Sequence, residues 1–220
     1  MFKNFHKNKY NSGVTLIELM VVIIIFMIVT SITIFNYGKF RSSLSIQNLA
    51  DDIALSVRRA QGFAIGVRGS GGSFTPGYGV HFTANPTLSL YAGSNKSFIL
   101  FVDMGAAPNK KYDYDSSGTC GVPTTSNECL EMLSITTADK IESIFLNNDT
   151  TPISSLDTLD ILFKRPAPEP IFCHRYGGIN SCDPTPISGI RIKISSEADS
   201  SIYKIITISN NGQISVSGSL

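Results

Sequence analysis

Several sets of residues in this chain have types and spacings that could do chemistry, and the first is a lone carboxylate. Glu18 stands in Gly13-Val14-Thr15-Leu16-Ile17-Glu18-Leu19-Met20-Val21-Val22, near the start of an apolar run that reaches Phe35 and holds no other charge. An ionised carboxylate inside hydrocarbon costs on the order of 2.5 to 3.5 kcal/mol on insertion scales, so Glu18 calls for a partner or a function. Next come the 4 cysteines, in two pairs of equal spacing: Cys120 with Cys129, and Cys173 with Cys182. Three connectivities are open to them, and chain proximity favours two short local disulfides, as suits an outward-facing domain. Zinc is the rival, but its sites favour a C-x2-4-C grouping that neither pair shows. Asp113-Tyr114-Asp115-Ser116-Ser117-Gly118 matches the first half of a calcium loop. There Asp113, Asp115 and Ser117 would supply alternating oxygen ligands and Gly118 the sharp turn. The twelfth position is Thr124 instead of a bidentate Glu, with Glu128 the nearest downstream carboxylate, so a plain polar turn competes with calcium. His81 falls in a strand-like run and His174 in a cysteine-bounded loop, while G-x-S-x-G, H-E-x-x-H and P-loop patterns are all missing. Without convergent groups the chain reads as a non-enzyme, and calcium is the one cofactor it suggests.

The elements that would position these residues follow from hydrophobic period. Residues 14–35 form a run of about 22, enough for a helix to cross a hydrocarbon layer of about 30 Å. Lys3, Lys7 and Lys9 precede it without an acid, which favours an inside N-terminus, although Lys39 and Arg41 on the far side weaken the contrast. A cleaved secretory signal would have a shorter apolar core and an A-x-A-like site, so the span is expected to stay in the mature chain. Helical spacing then continues through Ile46, Leu49, Ala50, Ile53, Val57, Ala60 and Ala64, with Asp51, Asp52, Arg58 and Arg59 on the other face. Gly38 is the expected weak point, and Gly66, Gly69, Gly71 and Gly72 the expected end. Beyond them the period falls to two. Strands are expected near residues 78–83, 88–91, 97–103, 132–136, 141–146 and 159–164, then over 190–194, 203–209 and 213–217. Residues 163–170 read as a stiff, proline-limited connection. Helix first and strands after predicts an α+β domain, a long helix whose upper half is covered by an antiparallel sheet.

Length and charge narrow the function classes. Of 220 residues, about 150 to 180 remain for a globular region, which suits one domain. The net charge of +1 hides an asymmetry: removing the three leader lysines from 18 basic residues leaves 15 against 17 acidic ones. A broad basic footprint for nucleic acid is therefore absent, and the last strand-like stretch, residues 213–220, holds no basic residue at all.

The basic leader, Gly13, the Val14-Thr15-Leu16-Ile17-Glu18 sequence and the apolar helix resemble the N-terminus of type IV prepilins and of type II secretion pseudopilins. The resemblance implies that an aspartyl prepilin peptidase cuts after Gly13 and methylates the amine of Val14, which stands where the family usually has Phe. It also implies that Glu18 pairs with the N-terminal amine of a neighbouring subunit in a filament. The division it implies is a cleaved leader over 1–13, a transmembrane and filament-core half of the helix over 14–35, an amphipathic half over 36–66 and a β-rich head over 67–220. The chain would then be a structural subunit held in the cytoplasmic membrane with its head outside. Its partners would be other pilin or pseudopilin subunits, the prepilin peptidase and membrane lipid. Arg58-Arg59-Ala60 near the helix end and Gly77-Tyr78-Gly79-Val80 at a strand start look most like H-type minor pseudopilins and FimT-like minor pilins. Two other readings are a DNA-uptake pilin, marked by a clustered Lys/Arg stripe, and a membrane-anchored enzyme, marked by a pocket.

Overall fold

The computed structural model describes residues 13–66, 69, 76–85, 92–104, 109–114, 119–146, 156–167, 169–176, 179–182 and 187–218. One helix, α1 (Leu16–Ile65), precedes ten strands. These are β1 (Gly77–Phe82), β2 (Ser97–Asp103), β3 (Cys129–Ser134), β4 (Asp139–Leu146), β5 (Leu156–Phe163), β6 (Pro170–Tyr176), β7 (Ile179–Cys182), β8 (Gly189–Ser196), β9 (Tyr203–Ser209) and β10 (Ile214–Ser217). The chain divides into two compact units, Met1–Arg41 and Ser42–Leu220.

In the first unit the apolar side chains of α1 are exposed, from Val14 and Leu16 to Phe35 and Phe40. Its hydroxyls do not interrupt that surface. Thr30 and Ser31 donate to the carbonyls of Phe26 and Met27 at 2.8 Å, and Thr33 to that of Thr30 at 2.8 Å. Polar atoms satisfied inside the helix leave a surface suited to lipid or to other apolar helices. Gly38 causes no break, and α1 ends one residue before Gly66, whose N–H donates to the Gly62 carbonyl at 2.8 Å.

In the second unit α1 buries Ile46, Ala50, Ile53, Val57, Ala60 and Ala64, a stripe of helical period with three alanines that let strands approach closely. The expected single sheet is instead two antiparallel sheets, of order β3-β2-β1-β5-β6-β7 and β10-β9-β8-β4. Their inner faces meet α1 in one core, with Val80 and Phe82, Leu100, Ile161, Ile144, Ile192 and Ile206 among its members. Each such side chain contributes roughly 1.5 to 3 kcal/mol by leaving water. Polar clamps fix the helix to both sheets. Ser45 and Thr137 donate to the buried carboxylate of Asp139 on β4 at 2.5 and 2.6 Å, and Arg59 pairs with Glu131 on β3 at 2.7 Å.

Two strands were not expected from the sequence. At the connection between β5 and β6, Phe163 lies opposite Pro170, and a proline is tolerated as the first residue of a strand. What reads as a cysteine-bounded loop holding His174 is the hairpin β6–β7, in which Cys173 lies opposite Cys182. The 88–91 strand lies outside the described residues. The terminal hairpin follows the sequence closely, with Gly212 at φ 81° in the turn between β9 and β10.

β1 and β2 are buried on both faces, because residues 109–114 and 119–128 cover their outer side. A second core forms there from Ile99, Phe101, Tyr112, Cys129 and Leu162. Gly79 makes room for it, since a Cβ at that position would sit 2.6 Å from both the Phe101 ring and the Ile161 carbonyl oxygen.

Candidate functional site

The groups with titratable chemistry gather in two places, and the first is the covered outer face of the six-stranded sheet. Glu128 is the fastener. Its Oε1 accepts the Met104 N–H at 2.6 Å and its Oε2 the Asp113 N–H at 3.0 Å. Its own N–H donates to the Asp113 carbonyl at 2.9 Å, and its carbonyl accepts from Val102 N–H at 3.1 Å. One side chain thus joins the end of β2 to the covering segment, beside the disulfide between Cys120 and Cys129. Burial pushes the Glu128 carboxyl up to about 8, and the neighbouring Asp103 and Asp113 carboxylates push the same way. Burial likewise raises Asp103, which accepts the Lys110 N–H at 3.2 Å, and raises the Tyr112 hydroxyl.

His81 and Asp160 face each other across β1 and β5, with Nδ1 and Oδ1 2.7 Å apart and both side chains buried. His81 Nε2 lies 3.1 Å from the Ala92 carbonyl oxygen, which can only accept, so the hydrogen of that bond belongs to Nε2. The Tyr112 ring covers the imidazole at 4.9 Å between centroids. His81, Asp160 and Glu128 are buried and hydrogen-bonded, and they tie Ala92 and Asp113 to the sheet. His174 lies apart from it on β6.

The calcium-loop residues are divided. The Asp113 carboxylate accepts from Asn109 Nδ2 at 2.6 Å, while Asp115 and Ser117 lie outside the described residues. Glu128 is committed to backbone N–H groups on both oxygens. Among the described residues no three His, Cys, Asp or Glu side chains are grouped as metal ligands. The other cysteine pair, Cys173 and Cys182, is also bonded, so both disulfides are local.

The second place is the start of α1. Gly13, Val14 and Thr15 precede the helix, and Thr15 caps it: its Oγ1 accepts the Glu18 N–H at 3.3 Å and its carbonyl the Leu19 N–H at 3.1 Å. Thr15-Leu16-Ile17-Glu18 therefore supplies the hydroxyl half of a capping box, with an acid in the first turn where the helix dipole favours one. Sequence reasoning overlooked Thr15, although Thr followed three residues later by Glu is the signal that finds it. A Cβ on Gly13 would meet nothing within 4 Å, so no packing among the described residues demands glycine there.

A family model, the prokaryotic N-terminal methylation motif, matches residues 8–34. The chain carries the N-terminal signature of type IV pilins and pseudopilins. The methylation motif covers the capped start of α1, Glu18 included, and most of its exposed apolar half. No curated protein and no solved structure matches the chain. The architecture agrees with a pilin, one long N-terminal helix packed on antiparallel sheets. By length and composition that helix can cross a membrane once. The methylation motif implies processing by a prepilin peptidase and contact with other pilin subunits.

Proposed function

We propose that this chain is a minor structural subunit of a type IV pilus or type II secretion pseudopilus. It is cut between Gly13 and Val14, methylated on Val14, and drawn from the cytoplasmic membrane into a helical fibre with its head on the outer side. The observation that carries the reading is the methylation motif at the base of a helix whose apolar half is wholly exposed. Two features of the helix start support the cut. The bond between Gly13 and Val14 lies in non-helical, exposed backbone, as a protease needs, and glycine there answers to no contact among the described residues.

Glu18 is the assembly residue of this reading. Removal of the leader would leave an amine on Val14, close to one turn before Glu18. In a low dielectric the amine of an incoming subunit and the Glu18 carboxylate of its neighbour attract strongly, and a wrong stagger leaves a charge buried alone. Glu18→Ala should insert in the membrane at least as well as wild type and enter filaments worse, with Glu18→Gln separating charge from shape. The measurement is the ratio of sheared-filament to membrane-retained protein at equal expression, together with mass spectrometry of the N-terminus. An intact Met1 terminus in cells with active peptidase, or equal ratios for all three proteins, would overturn it.

A further inference from the structure

Among the described strands β3 is one edge of the six-stranded sheet, and a groove of about 390 Å³ separates it from α1. Buried Leu49 and Phe98 and half-buried Leu133 line that groove, with exposed Asn48, Asp52 and Thr136 also on its wall. The Ile135 N–H donates to the Lys96 carbonyl at 2.7 Å, and regular register follows, with Ser97 opposite Ser134, Phe98 opposite Leu133 and Ile99 opposite Met132. Hydrogen-bonded positions alternate in an antiparallel pair. Ile135 and Leu133 therefore turn their N–H and C=O groups to β2, while those of Ser134 and Met132 turn to the open side. Met132 and Ser134 line the groove too, so it runs along backbone that β2 leaves unpaired.

The other edges are guarded. β7 and β10 are four residues long, and β4 carries Lys140 and a bulge between Ile141 and Ser143. Short strands, bulges and lysine are the usual defences against a further strand. On β3 the bulge falls near the Cys129 end, and residues 132–134 keep regular register with neither lysine nor proline. Charge marks the same place. Of the two acids at the groove, Glu131 is held by Arg59 at 2.7 Å, and Asp52 forms no ion pair among the described residues. Because α1 is fixed to Asp139 through Ser45 and to Glu131 through Arg59, Asp52, midway between Ser45 and Arg59, lies over the middle of the open edge.

We propose that the β3 edge takes an extended segment of another protein as an added strand, with apolar side chains entering the groove and a Lys or Arg between them meeting Asp52. Backbone bonds to Met132 and Ser134 supply the affinity and the groove the selection. Alternate side chains of a strand share a face, so the segment that fits reads apolar-x-Lys-x-apolar. Such a site is additional to filament assembly and does not depend on it.

The test is fluorescence anisotropy of the full chain in detergent with labelled Thr-Val-Thr-Lys-Thr-Leu-Thr, and with the same peptide carrying Glu for Lys. Expected is saturable binding of the Lys peptide, about fivefold weaker in Asp52→Lys, for which the Glu peptide becomes the better ligand. N-methylation of either the odd or the even peptide residues separates strand addition from plain apolar contact, since only one set donates to β3. One set should weaken binding about tenfold or more and the other far less. Ser134→Pro removes an outward N–H without removing a bond to β2, and should weaken binding about fivefold at an unchanged melting temperature. Should that variant melt early, the methylated peptides make the same test on the wild-type chain. No saturable binding up to about 1 mM, equal loss from both methylated sets, or equal affinity for the two charges overturns the proposal. So does a dimer that Ser134→Pro abolishes and the Lys peptide cannot displace, which assigns the edge to a second copy.

Discussion

Replacing Glu128 with Gln offers the sharpest test of the buried polar layer. The folded-state carboxyl titrates at about 8 against an ordinary value of 4.5, so between those values the folded chain holds a proton that the unfolded chain has released. The raised value sets the sign. The stability due to the neutral form is fully present below about pH 4.5, falls as pH rises, and is lost through about pH 8. A shift of this size corresponds to a few kcal/mol at about 1.4 kcal/mol per unit. Gln removes the titration but also a bond, because its amide has one acceptor oxygen for the two N–H groups of Met104 and Asp113. Leaving one of them facing an amide NH2 should cost about 1 to 3 kcal/mol. Glu128→Gln should therefore be less stable than wild type at about pH 5, and the gap should close or reverse by about pH 9. Denaturant unfolding of the detergent-solubilised chain across that range measures the gap, and amide exchange at Met104 and Asp113 shows whether the change is local. Parallel curves for the two proteins would refute the reasoning, since Glu128 would then be an ordinary ionised carboxylate.

Three further outcomes are expected. Cys120→Ser with Cys129→Ser should lower stability by about 2 to 3 kcal/mol by opening a short loop, and a main disulfide-linked peptide joining Cys129 to Cys173 on non-reducing mapping would contradict the local pairing. Gly79→Val should destabilise by several kcal/mol and release residues 119–128 to protease, because its branched Cβ must displace both the Phe101 ring and the β5 backbone; a wild-type melting temperature would contradict the close approach. Chelation should leave melting unchanged, since Glu128 is occupied and cannot close a calcium loop over Asp113, Asp115 and Ser117; a fall of several degrees, restored by calcium and absent in Asp113→Asn, would place the ion there.

What the sequence by itself determined is local or periodic. The apolar run with its single carboxylate, the helix end before Gly66, the buried stripe from Ile46 to Ala64, the alternation on β8 and the Asn211-Gly212 turn each follow from neighbours a few residues apart. Such neighbours share a face whatever the rest of the chain does. The Thr15 cap was equally legible, being a pattern of four consecutive residues. Only the tertiary structure decided which strands pair. β4 lies against β8 rather than β3, which divides one expected sheet into two, and β6 and β7 form a hairpin where turn residues and cysteines suggested a loop. Strand pairing is settled by contacts across long stretches of chain, and a side-chain period of two is the same whichever partner is chosen. The same limit hid the polar layer. Asp160 meets His81 from 79 residues away, and Glu128 looks like any surface carboxylate until residues 109–114 and 119–128 fold over the sheet and remove it from water.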